Sequence, residues 1–183
     1  MIFSFPPLSM QDTSSNERHV RFETLVMPYM ADVQRFVQAM TRDTEQTKDI
    51  VSETLYRAYK NMDAVREAKA VKSWLFTIAR REFYETYRKN NRTDTLDNDA
   101  EALYEDTEPL PDAQADIHLL HQALNQLPDK QREALLLFDV FGFSLLDVQE
   151  MQQDSLSAVK QRLKRGREKL AHLLGADMAV END

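Results

Sequence analysis

Apolar positions recur at spacings of three and four along three stretches, roughly Val20 to Met40, Thr44 to Met62 and Val71 to Lys89. Each predicts an amphipathic helix with one buried face. The third is explicit in "SWLFTIARREFYETYRKN": at about 100° per residue, Leu75, Phe76, Ala79, Phe83 and Tyr87 share one arc. Thr77, Arg81, Tyr84 and Arg88 share another on the far side. In the second, "DIVSETLYRAY" offers Ile50, Leu55 and Tyr59 to the core and leaves Asp49 and Glu53 one turn apart outside. The pattern then lapses. It resumes in shorter pieces, "ADIHLLHQALNQL", "DKQREALLLFDVF", "SLLDVQEM" and "SAVKQRLKRGREKL".

The joints between these pieces are readable. Gly142 offers a left-handed helix stop, and Ser144 with Asp147 three residues on has the form of a capping box. Leu145, Val148 and Met151 then face inward on a two-turn helix, and only "QQDS" separates it from the last one. On that last helix Leu156, Val159, Leu163 and Leu170 fall on a narrow arc, with Ser157, Gln161, Lys164 and Arg165 opposite. Two helices at this spacing predict a helix-turn-helix.

Charge divides the chain further. Its 183 residues carry a formal net charge of −8, yet nine acids and no Lys or Arg lie between Thr93 and Asp116, together with Pro109 and Pro111. That composition predicts a flexible acidic linker. The predicted architecture is all-α: two small helical domains, residues 20–92 and 116–175, joined by the linker 93–115 and flanked by an extension (1–19) and a tail (176–183), the second domain holding the helix-turn-helix. Only 3 glycines occur in the chain, which disfavours hairpins.

Several function classes drop out. With no cysteine there is neither a disulfide framework nor thiolate-bound zinc, and a reducing cytoplasm is the expected compartment. The opening "MIFSFPPLSM" lacks a basic leading segment and is broken by two prolines, so it does not read as a signal peptide. The longest apolar run, "LLLFDVFGFSLL", is interrupted by Asp139 and too short to cross a bilayer. No glycine-rich phosphate loop is present, and His118 with His121 lacks a completing ligand set. We therefore expect no catalytic residue, no metal site and no cofactor; the chain does not read as an enzyme.

Nucleic acid is the better fit. The last helix sets Lys160, Arg162, Lys164, Arg165, Arg167 and Lys169 against Glu168 alone, so pairs within the helix cannot account for the run. This favours DNA over an ordinary solvated face. Tyr84 between Arg81 and Arg88 suits a stacked base, or equally the cover of a neighbouring helix. Trp74 reads as core. Asp49 and Glu53 suit a basic partner, but from these residues alone an ordinary solvated face is the better reading.

Two motifs in order carry a resemblance. "DIVSETLYRAYKNM" followed by "SWLFTIARREFYETYRKN" resembles region two of the extracytoplasmic-function (ECF) sigma factors, and "LPDKQREALLLFDVFGFSLLDVQEMQQDSLSAVKQRLKRGREKL" resembles their region four. The resemblance implies a transcription initiation factor that binds core RNA polymerase and promoter DNA, with an anti-sigma factor as a further partner. By that analogy Asp49, Ser52 and Glu53 dock on polymerase. The loop from Asn61 to Lys72 and the helix after it, through Lys69, Lys72, Thr77, Arg80, Arg81, Tyr84 and Arg88, open and read the minus-ten element. Ser155, Ser157, Lys160, Gln161, Lys164 and Arg165 meet the minus-thirty-five element. A sigma-like decoy that captures an anti-sigma factor, or an operator-binding regulator, are the competing readings. The chain departs from the family pattern at "QQDS", at Arg81 and at Thr86, and its first 19 residues have no assigned counterpart.

Overall fold

The structure is a computed structural model that describes residues 10–93 and 112–175, with side chains over 16–90 and 119–175. The first module comprises α1 (Met10–Leu25), α2 (Met30–Thr41), α3 (Thr44–Lys60) and α4 (Val71–Thr93). The single helix expected from Val20 to Met40 is in fact two. Pro28 sits in a 3₁₀ turn, Met27–Tyr29, where its missing N–H and its ring interrupt the ladder. Helix α1 in turn reaches back into the stretch read as an extension. It is held there by Arg18 on the Asp63 carboxylate and by Arg21, whose guanidinium donates to the Val65 carbonyl at 2.6 Å.

Helix α2 stops at Arg42, which takes the left-handed region at φ 61°, and Asp43 caps α3 by accepting the Gln46 N–H at 2.8 Å. Helices α2, α3 and α4 pack on one another through Val33, Phe36, Val37 and Met40, then Ile50 and Ala58, then Leu75, Phe76, Ala79 and Phe83, all buried.

The second module comprises α5 (Asp112–Asn125), α6 (Asp129–Leu135), which runs on through a π-helical turn (Leu136–Val140), α7 (Leu145–Gln152) and α8 (Leu156–Leu173). Helices α4 and α5 take the two ends of the stretch expected as linker; the rest of that linker lies outside the described residues. Gly142 turns the chain at φ +71°. The capping box forms as expected: Ser144 Oγ accepts the Asp147 N–H at 3.1 Å, and the Asp147 carboxylate accepts the Ser144 N–H at 2.9 Å. Within "QQDS", Gln153 takes the left-handed conformation (φ 52°) that a glycine would fill without strain.

The two modules are not separate beads. Their buried apolar side chains form one continuous core. Phe76 of α4 lies 5.1 Å from Phe141 and 4.9 Å from Phe143, ring centroid to centroid, and Phe36 of α2 lies 6.0 Å from Phe141. Edge-on contacts of this kind add about 0.5–1.5 kcal/mol to the burial of the rings. Phe141 and Phe143, at the end of the "FDVFGF" run, thus form the apolar seam between modules with Phe36 and Phe76.

Candidate nucleic-acid interface

Helix α8 presents its polar side as the wheel requires. Val159 and Leu163 are buried, Leu156 and Leu170 half-buried, and Ser157, Lys160, Gln161, Lys164 and Arg165 exposed. Gly166, on the buried stripe, lets α8 approach α6 closely: a Cβ there would fall 2.8 Å from Leu135 Cδ1. Ser155 is exposed as well and has a second, structural task. Its hydroxyl caps α8 by accepting the Ala158 N–H at 3.1 Å, which fixes the helix's entry angle.

The basic run is also thinner than its count suggests. Arg162 donates to Gln152 Oε1 at 2.8 Å and to the Asp154 carboxylate, which holds the Asp154 carboxyl below its ordinary range. Arg167 binds Asp139 at 2.6 Å, and Lys169 donates to the Gln126 carbonyl at 2.7 Å. Acids and carbonyls from other elements, which a count along one helix ignores, take these three. Lys164 has only a distant Glu168, at 3.9 Å. The outer face that remains is Ser157, Lys160, Gln161, Lys164 and Arg165.

Helix α4 differs from the expected open stripe. Arg81 and Arg88 are exposed, and Thr77 is half-buried with its hydroxyl donating to the Ser73 carbonyl at 2.8 Å. Tyr84 is turned into the second module, where its O–H donates to Glu133 at 3.3 Å; burial and the nearby Glu133 charge push its phenol well above the usual range. Arg80 binds the Glu133 carboxylate and lies 4.8 Å from the Tyr84 ring centroid. Lys72 donates to the Phe141 carbonyl at 2.7 Å and sits 5.0 Å from the Phe143 ring centroid. Lys69, in the loop before α4, is exposed and pairs with Glu67 at 3.0 Å. The residues expected to read the minus-ten element therefore divide into an open set and a covered set.

On α3, Asp49, Ser52 and Glu53 are exposed together. Glu53 is not without a counter-charge, because Arg57 one turn on reaches it at 2.8 Å and also lies within 2.9 Å of Glu82 and 3.4 Å of Glu85. Glu82 is buried, and burial pushes its carboxyl up.

The residues missed from sequence are Arg132, Glu133 and Gln152, all buried beside the seam. Glu133 binds Arg80 and Tyr84 on one side and accepts from Gln152 Nε2 at 2.8 Å on the other. Burial pushes the Glu133 carboxyl up, against the pull of Arg80 and the two neutral donors. The signal was an Arg-Glu pair at the head of an apolar run, "REALLLF", since charges placed there are buried and must be paired. No helix among the described residues is long and apolar enough to cross a membrane.

Comparison with known proteins fits this geometry. Sigma-70 region 2 matches residues 25–93, and Sigma-70 region 4 matches residues 117–170. The ECF RNA polymerase sigma factor EcfG of Rhodopseudomonas palustris is 32% identical over 159 residues, 85% of this chain and 86% of that protein. SigM of Bacillus subtilis, also an ECF RNA polymerase sigma factor, is 33% identical over 147 residues, 79% of this chain and 90% of that protein. Among solved structures, the sigma factor RpoE from Bartonella quintana, in complex with the anti-sigma factor NepR, superposes with a TM-score of 0.73 at 29% identity, over 85% of this chain and 98% of that one. The chain belongs to the ECF RNA polymerase sigma factors, the proteins that direct RNA polymerase to its promoters.

Proposed function

We propose that the two modules divide promoter recognition as follows. The outer face of α3, Asp49, Ser52 and Glu53, docks on a basic surface of core polymerase. Lys69, Thr77, Arg81 and Arg88, joined by Lys72, Arg80 and Tyr84 once uncovered, engage the minus-ten element. The N-terminal half of α8 enters the major groove of the minus-thirty-five element, Gln161 and Ser157 toward base edges and Lys160, Lys164 and Arg165 toward phosphates. Ser155 positions that helix as its cap. The chain works in the cytoplasm, where polymerase and DNA meet. It is held in check by an anti-sigma factor, the kind of partner seen on the Bartonella quintana relative.

The observation that carries this reading is the exposed face of α8: a small residue, an amide and three cations on the second helix of a helix-turn-helix whose other side is buried. The test is run-off transcription with purified core polymerase on genomic fragments. Specific transcripts should start only with this chain present. Asp49→Lys with Glu53→Lys should weaken co-elution with core while leaving the helical circular dichroism unchanged. Unaltered co-elution would remove the docking assignment and favour a decoy.

A further inference from the structure

Most of α1 precedes the match to Sigma-70 region 2, which opens at residue 25, yet the helix is seated firmly. Phe22 and, just past the helix end, Val26 are buried, and the Phe22 ring meets Tyr59 of α3 edge-on at 5.3 Å between centroids. These apolar contacts fix α1 on α3. Its arginines then reach the segment that joins α3 to α4.

That segment, residues 61–70, has little of its own to hold it in place. It consists of two short 3₁₀ turns, Met62–Ala64 and Ala68–Ala70, with extended backbone at Val65 and Glu67 between them, and only Met62 and Val65 are buried. Two residues of α1 grip its first half. Arg18 binds the Asp63 carboxylate, while Arg21 lies 4.0 Å from the other oxygen of that carboxylate and donates to the Val65 carbonyl at 2.6 Å. An extended residue has no helical donor to meet its carbonyl, so the guanidinium supplies one. Residues 66–70, with Arg66 and Lys69 among them, are all exposed and start directly beyond this grip. The side chains of Arg18 and Asp63 are 38% and 68% exposed, and a pair so open to water adds little to folding. What it fixes is the direction in which residues 66–70 leave the module. A loop already held in one arrangement loses less entropy on binding than one that samples several.

We propose that α1 is a splint for the minus-ten loop: Arg18 and Arg21 are positioning residues that hold Asp63 and Val65, and through them set residues 66–70 against promoter DNA. The inference rests on the reading of the loop before α4 as part of the minus-ten contact. Neither arginine needs to touch DNA itself.

The chain has no cysteine, so Ala68→Cys at the exposed turn takes a nitroxide label specifically. Continuous-wave electron paramagnetic resonance of the full-length chain then reports the mobility of the loop, and permanganate footprinting of unlabelled holoenzyme reports minus-ten opening. In Arg18→Ala with Arg21→Ala the label should become more mobile. Opening should fall about tenfold, as for a loop that holds its competent arrangement about one tenth of the time, while co-elution with core polymerase stays unchanged. The reversed pair, Arg18→Asp with Asp63→Arg, should recover much of both signals where either half alone does not, a pairing that simple loss of helix packing would not follow. It carries the test alone if circular dichroism shows the double alanine variant unfolded. Unchanged mobility in the alanine variant, or a reversed pair no better than its halves, overturns the splint. Should the label become mobile and respond to the reversed pair while opening stays normal throughout, the grip of α1 on the loop stands and the assignment of the loop to promoter contact falls.

Discussion

Helices α4 and α8 are built on the same plan, an apolar arc toward the core and a basic face opposite, yet their basic faces are used differently. On α8 the face stays open: Lys160, Gln161, Lys164 and Arg165 look into solvent, and the neighbours that pair with Arg162 and Arg167 sit at its edges. On α4 part of the face is closed over by α6, and Arg80 and Tyr84 spend their polar atoms on Glu133. An amphipathic pattern says which side of a helix is apolar; it does not say what comes to lie over the polar side. That is decided by a charge elsewhere in the chain, here a carboxylate at the head of an apolar run.

The contrast should appear first in stability. Glu133→Ala leaves the half-buried Arg80 guanidinium and the buried Gln152 amide without their acceptor, and breaking a pair with one fully buried member should cost about 3 kcal/mol, the lower end of the range for buried pairs. Arg165→Ala, on the open face, should stay within about 0.5 kcal/mol of the unaltered chain. Urea denaturation of the two variants measures both. Equal midpoints would mean that Glu133 is not a buried hub and that the two faces are alike.

Next in size is an effect confined to the second module. At Gly166 a larger side chain must displace Leu135, whose Cδ1 and Cγ lie 2.8 and 3.2 Å from where a Cβ would be. Gly166→Val should cost on the order of 2 kcal/mol through overpacking. Gly166→Ala should cost less, because alanine recovers about 1 kcal/mol of helix propensity. Thermal melts of the two variants give the order. A Gly166→Val protein as stable as the unaltered chain would show that α6 and α8 are not in close contact.

What could be read from the sequence, and what could not, follows the same line. The helices of both modules, the capping box at Ser144 and Asp147 and the outward set on α8 follow from periodicity and local hydrogen bonding, which neighbouring residues determine. Pro28 marks the break between α1 and α2, but the apolar spacing runs on across it and by itself predicts one helix. Gly166 falls inside the predicted last helix, and nothing local shows that its work there is close packing against Leu135. The covering of Lys72, Arg80 and Tyr84 could not be found by any helical wheel. Their partners lie 69, 53 and 49 residues away in the chain, and only the assembled seam brings them together.

The smallest effect in free energy of folding is the most telling about function, because it separates two neighbours on the open face. Gln161 can offer a base edge both a donor and an acceptor, whereas Lys164 is a point charge on a flexible stem, suited to phosphate. Both are exposed and their loss should leave the fold within about 0.5 kcal/mol. In holoenzyme binding to a library of upstream elements, Gln161→Ala should change which minus-thirty-five sequences are preferred. Lys164→Ala should weaken all sequences alike and lower the salt slope of binding by about one. The same pair of changes leaves the closed seam untouched, so the distance between modules in the free chain should not move. If Lys164→Ala instead reorders the preferences while Gln161→Ala leaves them as they were, α8 lies in the groove with a different rotation from the one its exposed face indicates.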